Sequence, residues 1–164
     1  MVLRRLRRLL IGTRSFTLTE LLVVIAVIGI IMFVSVPTLW TYFRTAALRG
    51  AAEELVTVLN SARQLAIRAN STVCVTNDGT RVQYHVSTCG ATTWKGPGTD
   101  ASGNITLSNS IRAGGTTNIC YSYLGATTAT PAPCVNAGTL TVTNPVEGST
   151  MSVAVATTGR ARIQ

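Results

Sequence analysis

The last six residues hold the densest binding chemistry in the body of this chain. Gly159-Arg160-Ala161-Arg162-Ile163-Gln164 sets two arginines two positions apart. In an extended strand that spacing puts both guanidinium groups on one face, about 6.7 Å apart, with Ala161 and Ile163 opposite. Two guanidinium forks at that distance match neighbouring phosphates. Gly159 lets the backbone turn sharply, or approach a ligand closely, just before them. The same pattern also fits a solvated edge strand whose charges block edge-to-edge pairing. Lys95 and Arg112 are further cations that would extend a basic face if folding brings them near it.

Other groups with chemical potential are few. Cys74, Cys89, Cys120 and Cys134 lie in the C-terminal two thirds of the chain. Their spacings do not suit zinc and no histidine accompanies them, so they read as disulfides, with three possible pairings. Proximity favours Cys74–Cys89 and Cys120–Cys134, each closing a loop worth about 3 kcal/mol. His85, the only histidine, is expected on a strand face opposite Val82, Tyr84 and Val86, exposed to solvent. Asp78 sits in an Asp-Gly turn context, and Asp100 and Glu147 fall in loops. There is no phosphate-cradling glycine loop with its lysine, no metal-ligand cluster and no nucleophile with a base. The pattern argues against an enzyme and implies neither cofactor nor metal.

The N-terminal third has one charge in an otherwise apolar run. Residues 16–39 read FTLTELLVVIAVIGIIMFVSVPTL, with Glu20 near the start. As a helix, residues 16–36 span roughly 31 Å, about the hydrocarbon thickness of a bilayer. A carboxylate inside a spanning helix costs about 2.5–3.5 kcal/mol on insertion scales, which a plain anchor has no reason to carry. If the chain is cut before Phe16, a new α-amine lies one helical turn from Glu20. In staggered copies, Glu20 of one subunit then neutralises the amine of its neighbour and selects the register. A secretory signal peptide would have a shorter apolar region and an A-x-A-like cleavage site, and the surroundings of Arg4-Arg5 do not fit a twin-arginine signal.

The segment Arg14-Ser15-Phe16-Thr17-Leu18-Thr19-Glu20 resembles the processing site of type IV prepilins and pseudopilins. Phe16 and Glu20 match, Pro37 falls where pilin helices often carry a proline and kink, and Ser15 stands where the family usually has glycine. The resemblance implies cleavage by prepilin peptidase between Ser15 and Phe16, N-methylation of Phe16, and assembly with other pilins or pseudopilins. The long helix, the Cys74-Val75 strand and the terminal Gly-Arg-x-Arg resemble the GspH/FimT family in particular. FimT-like members bind DNA through that motif during uptake in natural transformation. The resemblance therefore implies a DNA-binding set of Gly159, Arg160, Arg162 and Gln164, with double-stranded DNA as partner. A GspH-like pseudopilin of type II secretion, structural and without DNA binding, is the alternative.

Charge agrees with a cleaved leader. The formal charge is +8, from 14 basic and 6 acidic residues. Arg4, Arg5, Arg7, Arg8 and Arg14 precede Phe16 and all six acids follow it, so the remainder carries nine bases and stands at +3. The basic leader is an orientation signal that keeps its end cytoplasmic. The body is then periplasmic on a single inner-membrane span, and later part of a pilus or the cell surface. In that oxidising compartment disulfides are the default.

The elements that position these groups follow from periodicity. Past Pro37, Ala47, Leu48, Ala51, Leu55, Val58, Leu59, Ala62, Leu65, Ala66 and Ala69 recur at three- and four-residue steps, predicting an amphipathic helix ended by Asn70-Ser71. Residues 72–76 and 81–87 alternate around Asp78-Gly79, a hairpin signal that faces Val73 and Val75 towards Tyr84 and Val82. Further strands are expected at 104–107, 118–123, 139–143, 151–156 and 160–163, separated by loops at 90–103 and 125–138. The predicted organisation is a leader at 1–15, a long helix at 16–70 with its membrane or filament-core half at 16–39, and a β-rich head at 71–164. The fold class is α+β, a pilin fold in which the helix packs on an antiparallel sheet.

Overall fold

A computed structural model of the chain describes residues 17–108 and 111–164. Ser15 and Phe16 lie outside the described residues. One helix, α1 (Leu18–Ala69), is followed by eight strands: β1 (Val73–Asn77), β2 (Val82–Val86), β3 (Asn104–Ile105), β4 (Arg112–Gly115), β5 (Ile119–Tyr121), β6 (Gly138–Thr143), β7 (Thr150–Val155) and β8 (Ala161–Ile163). Two compact units divide the chain at Phe43 and Arg44.

In the first unit every described residue is exposed, from Thr17 to Phe43, although the segment is almost wholly apolar. The helix runs through Pro37. It is long and apolar enough to cross a membrane by length and composition.

In the second unit α1 turns one face inward. Leu48, Ala51, Ala52, Leu55, Val58, Leu59, Ala62 and Ala66 are buried. Ala69, expected on that stripe, is exposed, because the helix ends there. Asn70 takes φ 46°, and Ser71 N–H donates to Ala66 O at 3.2 Å and Asn70 N–H to Ile67 O at 3.3 Å. That is a Schellman cap, with Asn supplying the left-handed residue.

The strands form two antiparallel four-stranded sheets, ordered β3-β2-β1-β5 and β4-β6-β7-β8. The first carries the expected hairpin: Val75 pairs Tyr84 and Asn77 pairs Val82. Asp78 Oδ1 closes its turn by accepting from Thr80 N–H at 2.9 Å and Arg81 N–H at 2.7 Å. These hydrogen bonds hold the Asp78 carboxyl below the usual carboxylate range. Val73, Val75, Val82 and Tyr84 share one core with Leu55 and Leu59 of the helix and with Leu140, Val142, Val153 and Val155 of the second sheet. Tyr84 Oη donates to Val58 O at 2.7 Å, tying β2 to the helix, and burial raises its pKa.

The other face of the first sheet is covered as well, which corrects the expectation for His85. His85 is only 8% exposed. Its Nδ1 lies 2.7 Å from Ala91 O and its Nε2 3.1 Å from Thr76 Oγ1. It pairs with Cys74, which in turn pairs with Cys120. Disulfides join Cys74 to Cys89 and Cys120 to Cys134; the first stitches the segment after β2 down over this face, and the second ties the segment holding Cys134 to it. The four sulfurs lie within 4.8 Å of one another, and Cys89 Sγ is 3.4 Å from Cys120 Sγ. Both pairs are oxidised, which leaves no thiolate for a metal among the described residues.

Candidate functional site

The terminal motif sits on the β7–β8 hairpin at one edge of the second sheet. Val155 pairs Ala161, Ala154 pairs Arg162 and Val153 pairs Ile163. Ala156 N–H donates to Arg160 O at 3.0 Å, and Gly159 N–H to Ala156 O at 2.8 Å. The loop Thr157-Thr158-Gly159 therefore reverses the chain within three residues, with Gly159 at φ 79°. Three-residue hairpins of this kind place glycine in the left-handed position. A Cβ on Gly159 would stand 2.1 Å from Gly125 O, so glycine is required both by conformation and by space. Gly159 is buried; it seats the hairpin and presents no group to a ligand.

Val153 and Val155 point into the core, so the alternation of the strand puts Arg162 on the solvent face beside Ala154. Arg160 lies two residues away on the same face, and Arg160, Arg162 and Gln164 are all exposed. Gln164 N–H donates to Ser152 O at 2.9 Å, extending the ladder by one position. Arg160, Arg162, Gln164, Ala154, Ala156 and Thr158 line a shallow open depression of about 580 Å³. Neither arginine makes an ion pair among the described residues. Glu53 borders a second depression with Arg162 and Ile163, but its carboxylate pairs with Arg49 at 3.3 Å.

The two further cations separate. Arg112 is exposed on β4 and pairs Thr143. Ala113, its neighbour, is buried and pairs buried Val142, so Arg112 lies on the same solvent face as Arg162. Lys95 follows Trp94, whose ring packs tilted against Tyr84 with centroids 5.9 Å apart, and belongs to the loop beside the first sheet. β4 was missing from the sequence-based strands. Arg112-Ala113-Gly114-Gly115 has two glycines and no β-branched residue, and only its pairing with β6 makes it a strand.

Glu20, in the other unit, is exposed. Its backbone N–H donates to Thr17 Oγ1 at 3.2 Å. Thr17 is thus an N-cap, and Thr17-Leu18-Thr19-Glu20 has the S/T-x-x-E spacing of a capping box. That signal was present in the sequence, and an acid in the first turn also suits the helix dipole. No cation pairs with Glu20 among the described residues.

A helix laid on antiparallel sheets, with an exposed apolar helical segment ahead of it, defines a pilin-like fold. The chain belongs to the GspH family, described as Type II transport protein GspH, which matches residues 51–159, well over half its length. Its class is therefore that of the minor pilins and pseudopilins, structural subunits that assemble with one another. The fold is similar to that of the minor pseudopilin EpsH from the type 2 secretion system of Vibrio cholerae, with TM-score 0.51 and 14% identity over 71% of this chain and 95% of that one. The type IV minor pilin FimU of Pseudomonas aeruginosa aligns with TM-score 0.48 and 15% identity over 71% of this chain and 92% of that one. No curated protein matches the chain.

Proposed function

We propose that the chain is a minor type IV pilin of the FimT kind that binds double-stranded DNA without sequence preference during uptake. The observation that supports this reading most is the β7–β8 hairpin, which holds Arg160, Arg162 and Gln164 on one open face with no carboxylate paired to either arginine among the described residues. Residues 16–39 anchor the subunit in the inner membrane and later pack in the filament. Cleavage falls between Ser15 and Phe16, Phe16 is N-methylated, and Glu20 selects the register through the new amine of a neighbour. With few phosphates engaged, one copy binds at about 10⁻⁴–10⁻⁶ M, and capture relies on several subunits acting together.

A titration of the chain in detergent micelles with a random-sequence duplex tests the DNA role. Wild type is expected to bind and to weaken steeply as salt rises, while Arg160→Gln with Arg162→Gln loses most of the affinity. Equal binding by the double variant rejects the reading. The GspH family match itself favours a second one, a pseudopilin of type II secretion that contacts other pseudopilins and not DNA. That reading predicts no duplex binding by wild type.

A further inference from the structure

We infer that the whole solvent face of the second sheet carries the DNA, along a diagonal from Arg160 and Arg162 on β8 to Arg112 on β4. This rests on the DNA-binding reading above and deepens it by adding a residue and a track. The register gives the placement. Arg112 pairs Thr143, which pairs Thr150. Arg162 pairs Ala154, which pairs Thr139. Both arginines therefore stand on one face, separated by three strand spacings, or about 14 Å. Along the strand direction they are offset by the four residues from Thr150 to Ala154, or about 13 Å. The diagonal is about 19 Å, longer than the major groove of a duplex is wide, about 12 Å. Cations so separated reach phosphates on both sides of a groove.

What lies between them suits a phosphate backbone. Thr139, Thr141 and Thr143 of β6, and Ser152 and Ala154 of β7, alternate with the buried Leu140, Val142 and Val153. The side chains are short, four of the five carry a hydroxyl donor, and none is acidic. Gly114 adds no side chain opposite Thr141. Arg112 makes no ion pair among the described residues. The acid at its end of the sheet, Glu147 in the β6–β7 turn, is paired with Arg44. A platform of short hydroxylated side chains free of carboxylates, with arginines at opposite corners, recognises a rigid double-stranded polyanion by its backbone.

The test compares Arg112→Gln, Arg112→Lys and Lys95→Gln with wild type and the Arg160→Gln/Arg162→Gln variant. Each full chain, in detergent micelles, is titrated with a fluorescent 20-base-pair duplex and with its single strand at several salt concentrations. Arg112→Gln is expected to weaken duplex binding about five- to tenfold at low salt and to reduce the salt slope by about 0.9, the share of one phosphate. Arg112→Lys keeps the slope, Lys95→Gln matches wild type, and the single strand loses less than the duplex. Near-ultraviolet circular dichroism checks that the exposed substitutions leave the fold intact. If Arg112→Gln binds like wild type while the double variant does not, the track is overturned and the DNA reading stands. If Lys95→Gln weakens binding as much as Arg112→Gln, the track is likewise overturned, since net charge alone would then account for the effect. If wild type binds no duplex, both fall.

Discussion

The two sheets of the second unit share one core against the helix and differ in what covers their outer faces. The first has Cys74, His85 and Cys120 on that side, roofed by the segment after β2, which the Cys74–Cys89 disulfide holds, with the Cys134 segment tied to Cys120 beside it. The second has threonines, a serine and arginines there, half-buried or exposed. The difference shows how a small head can be both stable and available. One sheet is buried on both faces and supplies rigidity, which frees the other to hold polar residues in the open. On the proposed reading, the arginines act from a platform that does not depend on them for its stability.

The largest effect should come from unstitching the covered side. Replacing Cys120 and Cys134 together by serine is expected to cost about 3 kcal/mol, read as a fall in thermal midpoint, with hydroxyls added to a buried cluster making the loss greater. A loss below about 1 kcal/mol would show that the Cys134 segment is not held by its disulfide. Next comes Gly159→Ala, which needs a left-handed residue and meets Gly125 O. It should destabilise by at least about 1–3 kcal/mol and weaken DNA binding only through a displaced hairpin. On the open face the outcome reverses. Arg160→Gln and Arg162→Gln should leave the thermal midpoint within about 0.5 kcal/mol equivalent of wild type, as exposed substitutions do, while removing most of the binding. The smallest effect concerns Asp78. Its carboxyl is held below the ordinary range by hydrogen bonds from Thr80, so the ionised form stabilises the turn above about pH 4, the unfolded value. That contribution fades as pH falls through the lower folded value. Solvent screening limits it to a few tenths of a kcal/mol. Asp78→Asn should flatten that part of the pH–stability curve.

Much of this fold was legible in the sequence because its signals are local. The three- and four-residue steps from Leu48 to Ala66, the Asp-Gly turn, and the alternation in β6 and β7 each report their own neighbourhood. The Arg160/Arg162 alternation was legible for the same reason. What escaped was set by distant partners. His85 alternates out of the core, and only the segment stapled through Cys89, whose Ala91 O lies 2.7 Å from His85 Nδ1, explains why it is buried. Arg112-Ala113-Gly114-Gly115 carries no strand propensity and becomes β4 by pairing with β6. With β4 unseen, neither the split into two sheets nor the place of Arg112 was accessible. Gly159 was identified as special, but its close approach to Gly125 is a contact across 34 residues of chain.

The contrast between a sealed face and a working face is tested most directly by hydrogen exchange on the full chain in micelles, with and without saturating duplex. The account predicts slowed exchange in β4 and in β7–β8, residues 112–115 and 150–164, and none in the roof at 87–95. Slowing over the roof, or at neither sheet while the duplex is bound, would contradict it.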